Sequence, residues 1–328
     1  MNYQFINLKQ ICDTWAIRKD TNAPSLDTFY YMTKDLDFSP LIYAFTSRLK
    51  EIPCSFSKSE QVSGSICFFG GIFTSLLHYG YIEEIEGLFT FALCYMLIDH
   101  FLDDNQISPE EKTQSMKDIA NLIYGKEVNS NNKLIQAAEK RYTALINRVP
   151  NCLHYLQRLF ESELKGTVIS NCSSYPRETY LEIEKEKGGL TAAAIGSIIS
   201  LSKDKIDIDA FKLGACIQLV DNFIDIQDDS DLGIYTTIRY DLEKNNVDQY
   251  VYETLTLINS LDNVYNFFKP ILIAGVILGI HDNPGCISIQ LEEVLQPYFV
   301  FAKTTSKYSL NTWFHDKLYS YIDVNRLL

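Results

Sequence analysis

Two groups of aspartates interrupt apolar helical stretches about 120 residues apart. LIDHFLDD, residues 97–104, sets Asp99 and Asp103 four apart with Asp104 beside them. LVDNFIDIQDD, residues 219–229, sets Asp221 and Asp225 four apart, and Asp228 and Asp229 follow one turn on. An i,i+4 pair shares a helix face, so each group projects carboxylates in one direction. Among Leu, Ile, Val and Phe these carboxylates repel one another and lose solvation, costs that a bridging cation offsets. The first chemistry this spacing predicts is a divalent-metal site.

The choice of metal follows from the donors. DDSDLG resembles the opening of a calcium loop, but with Gly233 at the sixth position Leu232 falls at the fifth and Arg239 at the twelfth. Neither side chain ligates calcium, so that reading fails. Zinc fits no better, because the five His are scattered and the Cys are unpaired in spacing. Hard oxygen donors with room for water and phosphate suit Mg²⁺. Two carboxylate ladders facing across a cavity can hold Mg²⁺ ions that grip a diphosphate, and a carbon–oxygen bond can then break to leave a carbocation. Such a cation needs a dry, aromatic pocket. Phe68, Phe69, Phe73, Tyr79, Phe89, Phe91 and Tyr95 are candidates to line it, or to be ordinary core.

The elements that must position these groups read as helices almost throughout. Helical periodicity or composition marks residues 63–80, 84–104, 109–124, 131–147, 151–169, 176–201, 207–229, 239–260, 264–281, 286–303 and 308–325. Ser108-Pro109-Glu110-Glu111 reads as an N-cap followed by Pro and acids in the first turn. A break is predicted around Pro150 and a loop over Ile169–Pro176. No alternating run suggests a sheet, no repeat or low-complexity linker appears, and one all-α domain over 1–328 is predicted.

Composition narrows the partners. A net charge of −13 argues against nucleic acid but not against a phosphorylated small molecule, since bound metal inverts the local sign. The N-terminus lacks the pattern of a signal peptide, and the eight Cys mostly sit in apolar company, which predicts free thiols in a reducing cytoplasm. Residues 61–82 carry no formal charge, yet their Gly, Ser, Thr, Gln and His content is poor for a membrane span. The apolar run 87–98 is short and ends at Asp99, so no stable span is predicted.

The motif order resembles the class I isoprenoid synthase superfamily. CYMLIDHFLDDNQISPEEKTQSM is similar to the first aspartate-rich region of squalene and phytoene synthases. FKLGACIQLVDNFIDIQDDSDLG is similar to their second, and to that of polyprenyl diphosphate synthases. ESELKGTVIS and YLEIEKEKGGLTAAAIGSIISL, with a small-residue break near Gly188-Gly189, resemble the central helices between them. The resemblance is clearest over residues 63–235. It implies a helical bundle around a central cavity and three Mg²⁺ ions bound with a prenyl diphosphate. Asp99 and Asp103, with Asp104, take the place of first-cluster ligands; Asp221 and Asp225, with Asp228 or Asp229, take that of the second. Lys187, Arg239, Tyr240 and Gln218 fall where diphosphate or its surroundings would be contacted. A homodimer is a candidate assembly.

The departures from the family pattern narrow the reaction. Residues 59–111 contain no Lys or Arg, and two diphosphates without basic partners repel strongly. One diphosphate held by metals needs fewer cations, so a terpene synthase acting on a single allylic diphosphate is favoured. The second cluster lacks the pattern of ordinary terpene cyclases, which keeps a squalene/phytoene synthase-like enzyme or a chain-elongating prenyltransferase as alternatives. A non-catalytic isoprenoid-binding helical protein is the alternative of another class, and the retained buried charges speak against it.

Overall fold

The computed structural model describes residues 3–16, 84–104, 106–128, 131–199, 206–266 and 268–299, with isolated positions between 43 and 75 and at 302. All regular structure among them is helical. The helices are α1 (Tyr3–Ala16), α2 (Ile85–Asp103), α3 (Pro109–Ile123), α4 (Lys133–Arg148), α5 (Leu153–Ser170) and α6 (Arg177–Ile199). They continue with α7 (Ile206–Ile224), α8 (Ile226–Leu232), α9 (Thr237–Glu243), α10 (Val247–Asn259), α11 (Phe268–Asp282) and α12 (Ile289–Leu295). The helix predicted at 308–325 lies outside the described residues.

Chain packing separates two compact units. One comprises Met1–Asp35, Lys165–Gly189 and Ile208–Ser309; the other comprises Leu36–Leu164, Leu190–Asp207 and Leu310–Leu328. The division falls inside α5, inside α6, which is otherwise unbroken, and after the second residue of α7. The glycine pair 188–189 therefore does not interrupt its helix.

In the second unit, α2 is apolar on nearly every face, as a helix wrapped by protein must be. It packs chiefly on α4, whose buried stripe is Ile135, Ala138, Tyr142 and Leu145. The Glu84 side chain accepts the Gly87 N–H at 3.0 Å at the start of α2 and pairs with Arg148 at the end of α4. By length and composition, residues 85–102 could cross a bilayer, and 65% of that span is buried within the protein. At α3 the predicted cap is present: Ser108 accepts the Glu111 N–H at 3.2 Å, with Pro109 first in the helix.

The first unit is built on α7. Tyr250 on α10 donates its hydroxyl hydrogen to the Leu219 carbonyl of α7 at 2.9 Å. Gly275 and Gly279, one turn apart on α11, admit α7 so closely that added methyls would stand 2.5 Å from Val220 and Phe223 carbons. α1 packs on α10, α11 and α12, burying Leu8, Ile11 and Cys12. Two predicted helices divide in two here. The stretch 207–229 bends at Asp225, where α7 gives way to α8. The stretch 239–260 breaks at Lys244–Asn246, where Asn245 takes φ of 54° and the Asn246 N–H returns to the Asp241 carbonyl at 2.8 Å.

Candidate functional site

The first acidic group closes α2. Asp99 and Asp103 stand in its last turns, and their side chains lie outside the described residues. Asp104 caps the helix, half-buried, and its carboxylate accepts the Gln106 N–H at 2.8 Å. Acidic groups at a helix C-terminus meet the negative end of its dipole, so the position itself favours a cation. Phe68, Phe69, Phe89 and Phe91 are fully packed core, with Phe68 and Phe89 stacked at 4.0 Å, and Tyr95 is exposed. Phe73 and Tyr79 lie outside the described residues.

The second group is carried by α7 and α8 in the other unit. Asp221 is exposed rather than the buried charge that its apolar sequence neighbours predict, because those neighbours on its helix face, Ile217 and Ile224, are exposed too, at 46% and 53%. A carboxylate flanked by two open isoleucines on one face is an amphiphilic strip. Asp225 sits at the bend with φ −93° and ψ 14°, half-exposed, and its side chain does not take the capping bond of α8. The backbone ladder still runs through the bend, from Asp225 N–H to Asp221 O at 2.9 Å and from Asp229 N–H to Asp225 O at 2.8 Å. Asp229 is half-buried on α8, and the Asp228 side chain lies outside the described residues. α8 ends at Gly233, whose φ of 75° lies in the left-handed region that favours glycine.

The polar residues expected near these carboxylates come partly together. α6 and α7 cross at Gly188, where a methyl would stand 2.5 Å from the Gly214 carbonyl oxygen and 2.6 Å from Gln218 Cβ. That contact puts Gln218 beside the residue following Lys187. The Lys187 stem passes over Gly166 of α5, where a methyl would be 3.2 Å from its Cδ. Gln218 donates to Asn222 Oδ1 at 2.8 Å. Gly188→Ala should lower stability by roughly 1–3 kcal/mol, because backbone rather than a flexible side chain must yield; a denaturant titration checks it.

Arg239 and Tyr240 are held in a different local cluster. Arg239 donates to the Ile234 carbonyl at 3.0 Å, lies 3.8 Å from Glu243, and stands over the Tyr235 ring at 5.1 Å. Tyr240 lies 6.2 Å from Tyr180, which in turn lies 5.1 Å from Tyr235. Their helix is anchored to α6 by residues that sequence reasoning missed. Arg177 Nε donates to both carboxylate oxygens of Asp241 at 2.8 Å, and its Nη2 reaches Glu253 at 2.9 Å. Glu184 Oε1 accepts the Thr237 N–H at 2.7 Å. Glu184 was legible in one respect: with Arg177, Tyr180, Leu181 and Gly188 it falls on the inward stripe of α6.

Glu184 is buried, and burial pushes its carboxyl up to about 7; Thr237, through its N–H and its hydroxyl, and Lys187 pull it down, and Asp229 pushes it further up. Because the folded-state value is raised above the ordinary one, the stability tied to this group is complete below pH 4.5 and is lost as pH rises towards 7. The loss is on the order of 3 kcal/mol at most. Glu184→Gln should flatten the pH dependence over that window, read by chemical denaturation at a series of pH values.

Among the described residues, no three His, Cys, Asp or Glu gather as a self-sufficient metal cage. One or two accessible carboxylates are nonetheless what Mg²⁺ takes from a protein when water and substrate phosphate complete its shell. Asp221 and Asp225 supply such donors, and the residues fit that ion. No protein-family model matches the chain, and no curated protein matches it.

Proposed function

We propose that this protein is a Mg²⁺-dependent class I terpene synthase that ionises one allylic prenyl diphosphate and cyclises or quenches the resulting cation. The observation that carries the reading is the exposed strip on α7, where Asp221 stands between Ile217 and Ile224, with Gln218 on the same helix and Lys187 one crossing away on α6. An anionic head bridged by metal and an apolar tail are the two halves of a prenyl diphosphate, and the strip offers a partner to each. The proposal extends to the fold, a class I isoprenoid synthase bundle around a central cavity.

Asp221 and Asp225, with Asp229 or Asp228, would hold metal, and Asp99, Asp103 and Asp104 form the other carboxylate set. When bound, Mg²⁺ would neutralise the charge that develops on the departing diphosphate. Lys187 adds positive charge from α6, and its ammonium needs no deprotonation to act. Gln218 offers neutral hydrogen bonding on the same face as Asp221. Ile217 and Ile224 contribute surface that cannot quench a carbocation chemically.

Incubation with Mg²⁺ and geranyl, farnesyl or geranylgeranyl diphosphate, each alone and with isopentenyl diphosphate, tests the reading. Product from one allylic diphosphate alone is expected. Product only when isopentenyl diphosphate is present would make the protein an elongase, and condensation of two allylic units would make it a head-to-head synthase.

A further inference from the structure

Glu184 lies one turn before Lys187 on α6, only 7% exposed, and accepts the backbone N–H of Thr237, the first residue of α9. Arg239 and Tyr240 follow two and three residues later on that helix. Towards the far end of α9, Asp241 is fully buried against Arg177, two turns before Glu184 on α6. α9 is seven residues long. A helix that short has little stability of its own, so its placement depends on such ties. Its two ends are therefore both referred to α6, one through Glu184 and the other through Arg177.

The second oxygen of Glu184 and the Thr237 hydroxyl are both buried without a partner at hydrogen-bonding distance among the described residues, while the hydroxyl still helps to hold the Glu184 carboxyl down. Leaving a buried carboxyl half-satisfied lowers stability. Lys187 and Asp229 act on its charge in opposite senses.

We infer that Glu184 is a positioning residue for diphosphate binding: it holds the start of α9 to α6 so that Lys187 and Arg239 address the same diphosphate. The inference rests on the proposed function and names the group that sets the spacing of its two cations. Glu184 touches neither diphosphate nor metal itself. Glutamine in its place retains an acceptor for the Thr237 N–H, and alanine does not.

The test is calorimetric titration of the full chain with inorganic pyrophosphate in Mg²⁺, well below the melting temperature of every variant. Glu184→Ala should weaken pyrophosphate binding about tenfold, and Glu184→Gln should stay within roughly threefold of the parent. Glu184→Ala combined with Arg239→Ala should bind no more weakly than Arg239→Ala alone, because one acts through the other. Thr237→Pro removes the same N–H at the first position of a helix, where proline is accommodated, and serves if the alanine variant does not fold. A folded Glu184→Ala or Thr237→Pro that binds as tightly as the parent overturns the inference, as do losses that multiply in the double variant. A parent protein that binds no pyrophosphate overturns the proposed function, and the inference with it.

Discussion

Asp221→Asn should lower kcat/KM for pyrophosphate release by about 10²–10³ while leaving the unfolding free energy within about 0.5 kcal/mol of the parent. The two halves of that expectation have separate causes. Asp221 is exposed, so its carboxylate is not a buried charge on which the fold depends. Asparagine keeps the shape but halves the carboxylate and removes the charge that draws a cation. Asp231→Asn is the control. That carboxylate is exposed on α8 and accepts from Gln227 Nε2 at 2.9 Å, outside the candidate set, so activity should be unchanged. Equal losses in both variants would mean that general acidity, not the Asp221 position, matters. The same preparations should be melted side by side, to separate loss of function from loss of fold.

The largest effect on stability is expected at Arg177. Arg177→Met should destabilise the protein by about 3–5 kcal/mol, because it strands a buried carboxylate rather than removing a pair. Asp241 is fully buried, and Arg177 answers both of its oxygens. Burial already raises the Asp241 carboxyl above its usual range, against the pull of Arg177. Without Arg177 that pull is lost and the carboxyl rises further, so the deficit should shrink as pH falls and Asp241 takes a proton. Asp241→Asn in the Arg177→Met background should recover part of the loss at neutral pH. Urea titrations of the single and double variants at neutral and mildly acidic pH read all three effects. A deficit under about 1 kcal/mol, the range of exposed ion pairs, would mean that water reaches the pair.

Much of the helical layout was legible in the chain because local chemistry decided it. Ser108-Pro109-Glu110-Glu111 states an N-terminus outright, and α3 begins there. The apolar run before Asp99 extends into a 19-residue helix because Glu84 caps its start. Where the reading failed, the deciding interaction was not periodic. The bend at Asp225 keeps its i,i+4 backbone bonds, so no break residue announces it. The gap between α9 and α10 rests on Asn245 at positive φ, a conformation asparagine tolerates but does not demand. α1 carries a modest apolar stripe and owes its place to burial against α10, α11 and α12.

The candidate site divides in the same way. Aspartates four apart are visible as residue types, and Lys187 and Gln218 follow from their place relative to them. Glu184 and Arg177 join partners 53 and 64 residues away, and such pairs exist only once α6 and α9 are packed. In the sequence they are two charges among many in a polar stretch. The glycine pair at 188–189 predicts a break, and Gly188 is a contact instead, since the absence of a side chain lets two helix backbones come together.

The most direct measurement is pyrophosphate release from a single allylic diphosphate, with and without Mg²⁺, in the parent and in Asp221→Asn. Release that requires Mg²⁺, yields a diphosphate-free organic product and collapses in the variant is the predicted result. No release from geranyl, farnesyl or geranylgeranyl diphosphate, or full activity in Asp221→Asn, would contradict the account.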